Sequence, residues 1–356
     1  MCVWIPKKHE ELSLTSQHAE ELMTDLDGPR LVDDLEYSPV PLDRSAPIYV
    51  AGHRGLVGSA IWRRLESAGF DNLIGRTSSE LDLRDRDAVF EFFSETKPRH
   101  VVLAAAKVGG ILANSTYPVE FLSENIRIQT NVIDAAIHNF VDRLLFLGSS
   151  CIYPKLAPQP IVESALHTGY LEQTNDAYAI AKIAGIMHIQ SARREFGRPW
   201  ISAMPTNLYG PNDNFSPTGS HVLPAMIRRY EEAIIEGQAT VTNWGTGTPH
   251  REFLHVDDMA DACLFLLENY DGPQQINVGT GVDVSIRELA ALIAGIVGFT
   301  GETIWDDSKP DGTPQKLLDV SKLSAAGWSA RIDLEPGLRS TVDWYRTHVG
   351  HLREPS

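Results

Sequence analysis

Short apolar runs and amphipathic helical patterns alternate along this chain from about residue 46. IYVAG (48–52) reads as a buried strand, and SAIWRRLESAG (59–69) places Ile61, Leu65 and Ala68 on one helical face. NLIGR (72–76) predicts the next strand, followed by a helix near 85–96, the strand HVVLAAA (100–106), a long helix near 117–139, and the strand LLFLGSS (144–150). Alternation of this kind predicts a parallel, doubly wound sheet with helices on both faces.

Beyond residue 205 the rhythm degrades. HVLPAMIRRYEEAIIEG (221–237) and SIRELAALIAGIVG (285–298) read as helices, the second with Leu289, Ile293 and Ile296 at core spacing. Short strands are expected near 240–243, 275–278 and 302–305, between loops rich in Gly, Thr and Pro. The fold class is therefore α/β, a Rossmann-type sheet with a smaller C-terminal α/β part. Residues 46–204 mainly form a nucleotide-binding domain; residues 205–356 mainly form a substrate-binding part, with some segments returning to the sheet. Residues 1–45 show no sustained periodicity and read as a poorly ordered acidic extension with one short helix near 16–24.

Composition narrows the classes. In 356 residues, 43% hydrophobic and 22% charged residues are ordinary for a soluble globular protein, and the net charge of −16 argues against nucleic acid or an anionic membrane as partner. Residues 1–45 carry four basic and ten acidic side chains, so part of that charge belongs to the extension. Cys2, Cys151 and Cys263 are too scattered for a disulfide framework or a metal site. There is no apolar run of about 18 residues and the N-terminus is too acidic for a targeting peptide, which makes the cytoplasm the expected compartment.

GHRGLVG (52–58) joins the first strand to the first helix. Gly52 and Gly55 permit a tight turn and close approach of a pyrophosphate to the helix N-terminus, and Gly58 permits tight packing of helix on strand. An NAD enzyme usually carries a carboxylate at the end of the second strand for the ribose 2′-hydroxyl. Here Arg76 comes first, and Arg54 stands in the glycine loop, which suits the 2′-phosphate of NADP unless both are simply solvated charges. Glu80 and Asp82 follow, with Asp82 expected to face the adenine. In YAIAK, Tyr178 and Lys182 are four apart on one helical face, where an ammonium near a phenol favours proton exchange. GSSCIYP (148–154) sets two hydroxyls and a thiol at a strand end, and a thiol there is filler, disulfide partner or catalyst.

AGHRGLVGSAI, LAAAKVGGI, FLGSSCIYPK, YAIAKIAGI, MPTNLYGPNDNF, GTPHREFLHVDDMA and SKPDGTPQK together make the chain resemble an extended short-chain dehydrogenase/reductase, from about residue 46 to 344. The resemblance implies an NADP(H)-dependent enzyme that epimerises C3 and C5 of GDP-4-keto-6-deoxy-D-mannose and then reduces C4 to give GDP-L-fucose. It gives Ser149, Tyr178 and Lys182 the reductase role and Cys151 and His221 the epimerisations. The cation that draws Cys151 toward thiolate is left open among His221, Lys182 and the oxidised nicotinamide.

For the cofactor the resemblance implies Gly52, His53, Arg54, Gly55, Leu56, Val57 and Gly58, then Arg76, Asp82 and Leu83. Leu147 and Gly148, Lys182, the run Pro205, Thr206, Asn207 and Leu208, and His221 complete that set. Arg229, Trp244, Arg251, Asp311 and Lys316 are implied for the nucleotide sugar, and a metal is not expected. The choice of guanine rests on the resemblance, because two arginines hold the diphosphate of UDP and dTDP sugars equally well. One departure is Arg76-Thr77-Ser78, where the related pattern is Arg-Thr-Arg, so the grip on the 2′-phosphate is expected to be weaker. A homodimer is implied through helices near 117–139 and 175–196. Rival readings are a sugar-nucleotide 4-epimerase or 4,6-dehydratase with tightly held NAD, and a catalytically silent NADP-binding scaffold.

Overall fold

The computed structural model describes residues 41–351, apart from Thr218 and Pro310. The helix expected near 16–24 lies outside the described residues. Five strands, β1 (Ile48–Ala51), β2 (Leu73–Ile74), β3 (His100–Leu103), β4 (Arg143–Leu147) and β5 (Ile201–Pro205), alternate with helices α1 (Leu56–Ser67), α2 (Arg86–Thr96), α3 (Ile111–Thr116), α4 (Pro118–His138) and α5 (Asp176–Phe196). Every residue of β1, β3, β4 and β5 is buried, because helices cover both faces of the sheet. That is why these strands read as unbroken apolar runs rather than as alternation.

The second half begins with β6 (Asn207–Tyr209), α6 (Val222–Ile235), β7 (Thr240–Trp244), β8 (His250–His255), α7 (Val256–Asn269) and β9 (Ile276–Val278). It continues with β10 (Asp283–Ser285), α8 (Ile286–Val297), β11 (Glu302–Asp306), β12 (Gln315–Lys316), α9 (Ser321–Ala325) and α10 (Leu334–His348). The main sheet runs β2-β1-β3-β4-β5-β9, all parallel. The chain reverses its direction of travel between β1 and β3, which makes the C-terminal ends of those strands the topological switch point and the expected nucleotide crevice.

A smaller sheet is organised by β8, which pairs with β10, β12 and β6, while β7 pairs with β11. Its core gathers Tyr209, Tyr230, Leu289, Ile293, Leu338 and Val342. The capping box of Ser285 and Glu288 starts α8 by satisfying donors at the helix entrance.

Helix α7, which the apolar pattern leaves unassigned, is buried nearly all round, from Val256 through Leu267, and so lacks the one-sided stripe that marks a surface helix. It packs beside α1, where Arg63 meets Asp257 at 2.7 Å and Arg64 meets Asp261 at 2.8 Å. Arg143 at the start of β4 buries its guanidinium against the end of α7, donating to the carbonyls of Leu266, Leu267 and Tyr270. The Leu266 carbonyl also accepts from the Tyr270 amide, and the cation adds its bonds at the negative end of the helix dipole.

Packing starts before residue 46. Leu42 is buried, and Arg44 pairs with Glu268 and lies 4.3 Å from the centre of the Phe70 ring. A chain beginning at residue 41 is expected to melt higher than one beginning at residue 46, because Leu42 burial alone stabilises by about 1.5–3 kcal/mol. Thermal unfolding of the two truncations checks this, and equal midpoints would show that Leu42 and Arg44 add nothing.

Candidate active site

The loop from β1 to α1 turns at Gly52, whose φ of +84° few other residues adopt. A Cβ there would lie 2.9 Å from the Ala105 nitrogen, so the glycine lets the ends of β1 and β3 close on each other. At Gly58 a Cβ would meet the Gly52 carbonyl oxygen at 2.1 Å, so the helix can approach the turn only as glycine. Gly55 is different. It is exposed, and a Cβ added there would touch only the Gly52 carbonyl, at 3.4 Å. The open face of Gly55 at the start of α1 is the cradle a pyrophosphate needs.

Around this cradle the expected cofactor residues fall on strand ends. Leu56 and Val57 open α1, and the His53 ring packs 5.4 Å from the Trp62 ring. Arg54 and Arg76 are both exposed, and both help to hold the Glu80 carboxyl below its usual range, after Thr77, whose amide donates to Glu80 at 2.7 Å. Glu80 therefore caps its own loop. Asp82 is paired with Arg84 at 2.9 Å, and Leu83 packs against the main core. Leu147 and Gly148 end β4, where a Cβ on Gly148 would strike the Met204 side chain. Pro205, Thr206, Asn207 and Leu208 pass from β5 into β6, tied by the Thr206 amide to Val278 and by the Asn207 amide group to the Glu252 carbonyl.

The chemistry gathers at the end of β4. Ser149 leaves the strand in extended conformation and its Oγ accepts from the Cys151 amide at 3.4 Å, shaping the 3₁₀ turn Ser150–Ile152. The Ser149 side chain is also close enough to the Tyr178 phenol and the Cys151 thiol to pull both toward their ionised forms. Tyr153 anchors the turn from below, donating to buried Asn277 at 2.6 Å. Ser149, Cys151 and Tyr178 thus converge, although the thiol and the phenol are 27 positions apart in the chain.

Lys182 lies one turn after Tyr178 on α5, buried, and donates to the Leu147 carbonyl at 2.8 Å. Burial lowers its pKa to about 8, while the Cys151 thiol works in the opposite direction. Its ammonium is 5.8 Å from the centre of the Tyr178 ring. Burial pushes the Tyr178 phenol up, Cys151 adds to the rise, and the Ser149 side chain opposes it. Tyr178 is held protonated, as a proton donor must be.

Burial also raises the Cys151 thiol. Among the effects that favour thiolate, Lys316 comes first, then the Ser149 side chain and Lys182. Of the three cations considered from the sequence, Lys182 does act on the thiol, but the stronger one is Lys316, which was expected only to hold the nucleotide sugar. His221 occupies the N-cap of α6 without capping it and is exposed. Crowding by neighbouring atoms, although the residue reaches solvent, holds its pKa below the ordinary imidazole value, and Lys316 contributes to the lowering. Lys316 therefore lies within electrostatic reach of both Cys151 and His221.

The remaining substrate candidates adjoin that lysine. In β12, Lys316 is the register partner of Arg251 in β8. Trp244 ends β7 with 58% of its surface exposed, a face available for stacking, and Arg229 on α6 donates to the Thr242 carbonyl of the same strand at 3.2 Å. The Asp311 carboxylate accepts from the Thr246 amide at 2.7 Å and its hydroxyl at 2.9 Å, so it orders the loop after Trp244. Sequence reasoning missed Glu252, fully buried, whose carboxylate accepts from the amides of Thr280 at 2.6 Å, Gly281 at 2.8 Å and Leu318 at 3.0 Å. It pins the strand that carries Lys316. An acidic residue inside the apolar run EFLH was the available signal.

Residues 48–279 match the model of the NAD dependent epimerase/dehydratase family. The chain is 60% identical over 307 residues to GDP-L-fucose synthase 1 of Arabidopsis thaliana, covering 86% of this chain and 95% of that protein. With the GDP-L-fucose synthase of Escherichia coli K12 it shares 55% identity, covering 86% of this chain and 98% of that one. The crystal structure of a GDP-L-fucose synthetase from Naegleria fowleri bound to NADP superposes with a TM-score of 0.83 at 27% identity, covering 90% of this chain and 100% of that one. With the glycine cradle at the switch point and the Ser149, Tyr178 and Lys182 set beside it, these likenesses lead to one assignment: the chain belongs to the NAD dependent epimerase/dehydratase family, in the branch that holds the GDP-L-fucose synthases.

Proposed function

We propose that this chain converts GDP-4-keto-6-deoxy-D-mannose to GDP-L-fucose by epimerising C3 and C5 and then reducing C4 with NADPH. The observation that carries the reading is the convergence of Ser149, Cys151 and Tyr178 at the end of β4, with Lys182 and Lys316 as neighbouring cations. A ketone at C4 acidifies the hydrogens on C3 and C5. Cys151 as thiolate removes such a proton, Ser149 and Tyr178 hold the enolate oxygen, and His221 returns a proton on the opposite face. One oxyanion site serves both reactions. The open Gly55 cradle with Arg54 and Arg76 fits a dinucleotide carrying a 2′-phosphate, and bound NADPH supplies the hydride for C4. Tyr178, protonated in its buried setting, gives its proton to the same oxygen, and Lys182 supports the site from the Leu147 carbonyl.

Arg229 and Arg251 suit the substrate diphosphate and Trp244 offers a stacking face for the base. The protein works as a homodimer through α4 and α5, which pack along each other. Support comes from Ile180 and Met187, seven residues apart on α5 and both exposed. Light scattering at the single-chain mass would overturn this. Among the described residues no helix is long and apolar enough to cross a membrane. The cytoplasm remains the proposed compartment, supported by the scattered cysteines.

The test of function is NADPH consumption by purified protein with GDP-4-keto-6-deoxy-D-mannose and with the UDP and dTDP analogues. Net oxidation with the GDP sugar alone is expected; turnover without net oxidation would indicate a 4-epimerase or dehydratase. NADPH should outperform NADH, and Arg54→Ala should narrow the gap by a factor corresponding to about 1.5–3 kcal/mol. Equal efficiency with both cofactors in the unmodified protein would remove the 2′-phosphate reading of Arg54 and Arg76.

A further inference from the structure

The segment KVGGI (107–111) links β3 to α3 and is not accounted for by the chemistry above. Gly110 donates its amide to the Gly219 carbonyl at 3.3 Å. A Cβ built on Gly110 would lie 2.8 Å from the Ser220 carbonyl oxygen. The two residues immediately before His221 therefore rest on Gly110 with no room for a side chain. The turn itself is locked from inside. Buried Asn114 donates to the Gly109 carbonyl at 2.7 Å and the Gly110 carbonyl at 3.0 Å. Upstream, Asn125 of α4 brackets Lys107, accepting from its amide at 2.9 Å and donating to its carbonyl at 3.0 Å.

The other side of the turn faces Tyr178. A Cβ on Gly109 would lie 3.0 Å from the tip of the Phe121 ring, and that ring meets Tyr178 edge-on with centroids 6.3 Å apart. The Gly-Gly turn is thus wedged between the support of the phenol and the backbone that presents the imidazole. We propose that the Gly109-Gly110 turn, locked by Asn114, is a positioning device that sets the His221 ring relative to Tyr178 and so fixes the face on which the proton returns. This rests on the reading of His221 as the proton-returning group. His221 makes no capping hydrogen bond that would hold its ring by itself. Inversion at carbon requires a donor at a defined place opposite the thiol. Exchange with retention does not, because the Cys151 thiol can trade the proton it removed for a deuteron from solvent and return that to the same face.

The two fates separate in deuterated water without reductant, by comparing deuterium in recovered, unepimerised sugar with formation of the epimerised ketone. His221→Gln should shift this partition toward exchange with retention. Gly110→Ala forces the 219–221 backbone outward by a few tenths of an ångström and should shift the partition in the same direction by about tenfold, as small misplacements of a reacting group do. Asn114→Ala should shift it likewise by unlocking the turn without adding volume. Combined with His221→Gln, either change should add nothing further, since it acts through that ring. A merely destabilised protein would lose exchange and inversion together, and melting curves identify it. An unchanged partition in folded Gly110→Ala and Asn114→Ala, beside a shifted one in His221→Gln, overturns the inference and leaves the function standing. An unchanged partition in His221→Gln overturns both the inference and the role given to that histidine.

Discussion

In deuterated water without NADPH, Cys151→Ser is expected to incorporate deuterium into neither C3 nor C5, while the unmodified protein labels both. The serine hydroxyl is far too weak an acid to supply a base near neutral pH, whereas a thiol beside cations becomes partly ionised. The loss should be at least about a hundredfold, the scale on which a positioned base acts. The pH profile carries the same information. Burial raises the Cys151 thiol above its ordinary value, so exchange by the unmodified protein should climb with pH as the thiolate fraction grows. Lys316→Met removes the first of the thiolate-favouring effects and should move that limb to higher pH. Supplied with NADPH, Cys151→Ser should still reduce the unepimerised ketone slowly, because Ser149, Tyr178 and Lys182 remain. Labelling at the unmodified rate would make Cys151 a buried apolar filler and move the base to His221.

Tyr178→Phe should suppress reduction by about 10²–10⁴-fold, the range for a lost general acid. In the proposed mechanism the phenol is the protonated donor to the sugar oxygen, and its ring should keep its edge-on packing against Phe121 after the hydroxyl is removed, so folding should survive. Exchange at C3 and C5 should fall less, since Ser149 still offers one hydrogen bond to the enolate. Single-turnover reduction of the epimerised ketone measures the first effect and mass spectrometry of the recovered sugar the second. Equal losses in both would mean that Tyr178 acts only as an oxyanion ligand and that another group protonates the C4 oxygen. The solution pH at which reduction fails should follow Lys182, whose charge, with a pKa lowered to about 8, is lost as pH rises through that value.

The patterns that survive translation into local rules were legible in the chain itself. Parallel strands buried on both faces must be apolar at successive positions, so β1, β3 and β4 announce themselves, and a turn that cannot hold a Cβ must be glycine, as at Gly52 and Gly58. The i, i+4 spacing of Tyr178 and Lys182 likewise needs no tertiary knowledge. Helix α7 escaped because burial on all sides erases the periodic stripe.

The site's electrostatics were not legible, since they depend on distances between residues remote in sequence. Lys316 meets Cys151 only because β12 joins β8 and buried Glu252 holds the following strand through the Leu318 amide. The buried Lys182 ammonium donates to the Leu147 carbonyl, a partner that only the packing of α5 on β4 supplies. Residue types and local spacing thus determined which groups are present and on which element each stands. Which group feels which charge was decided by the tertiary structure, because Coulomb interaction and desolvation act through space and are set by what the fold packs around each group.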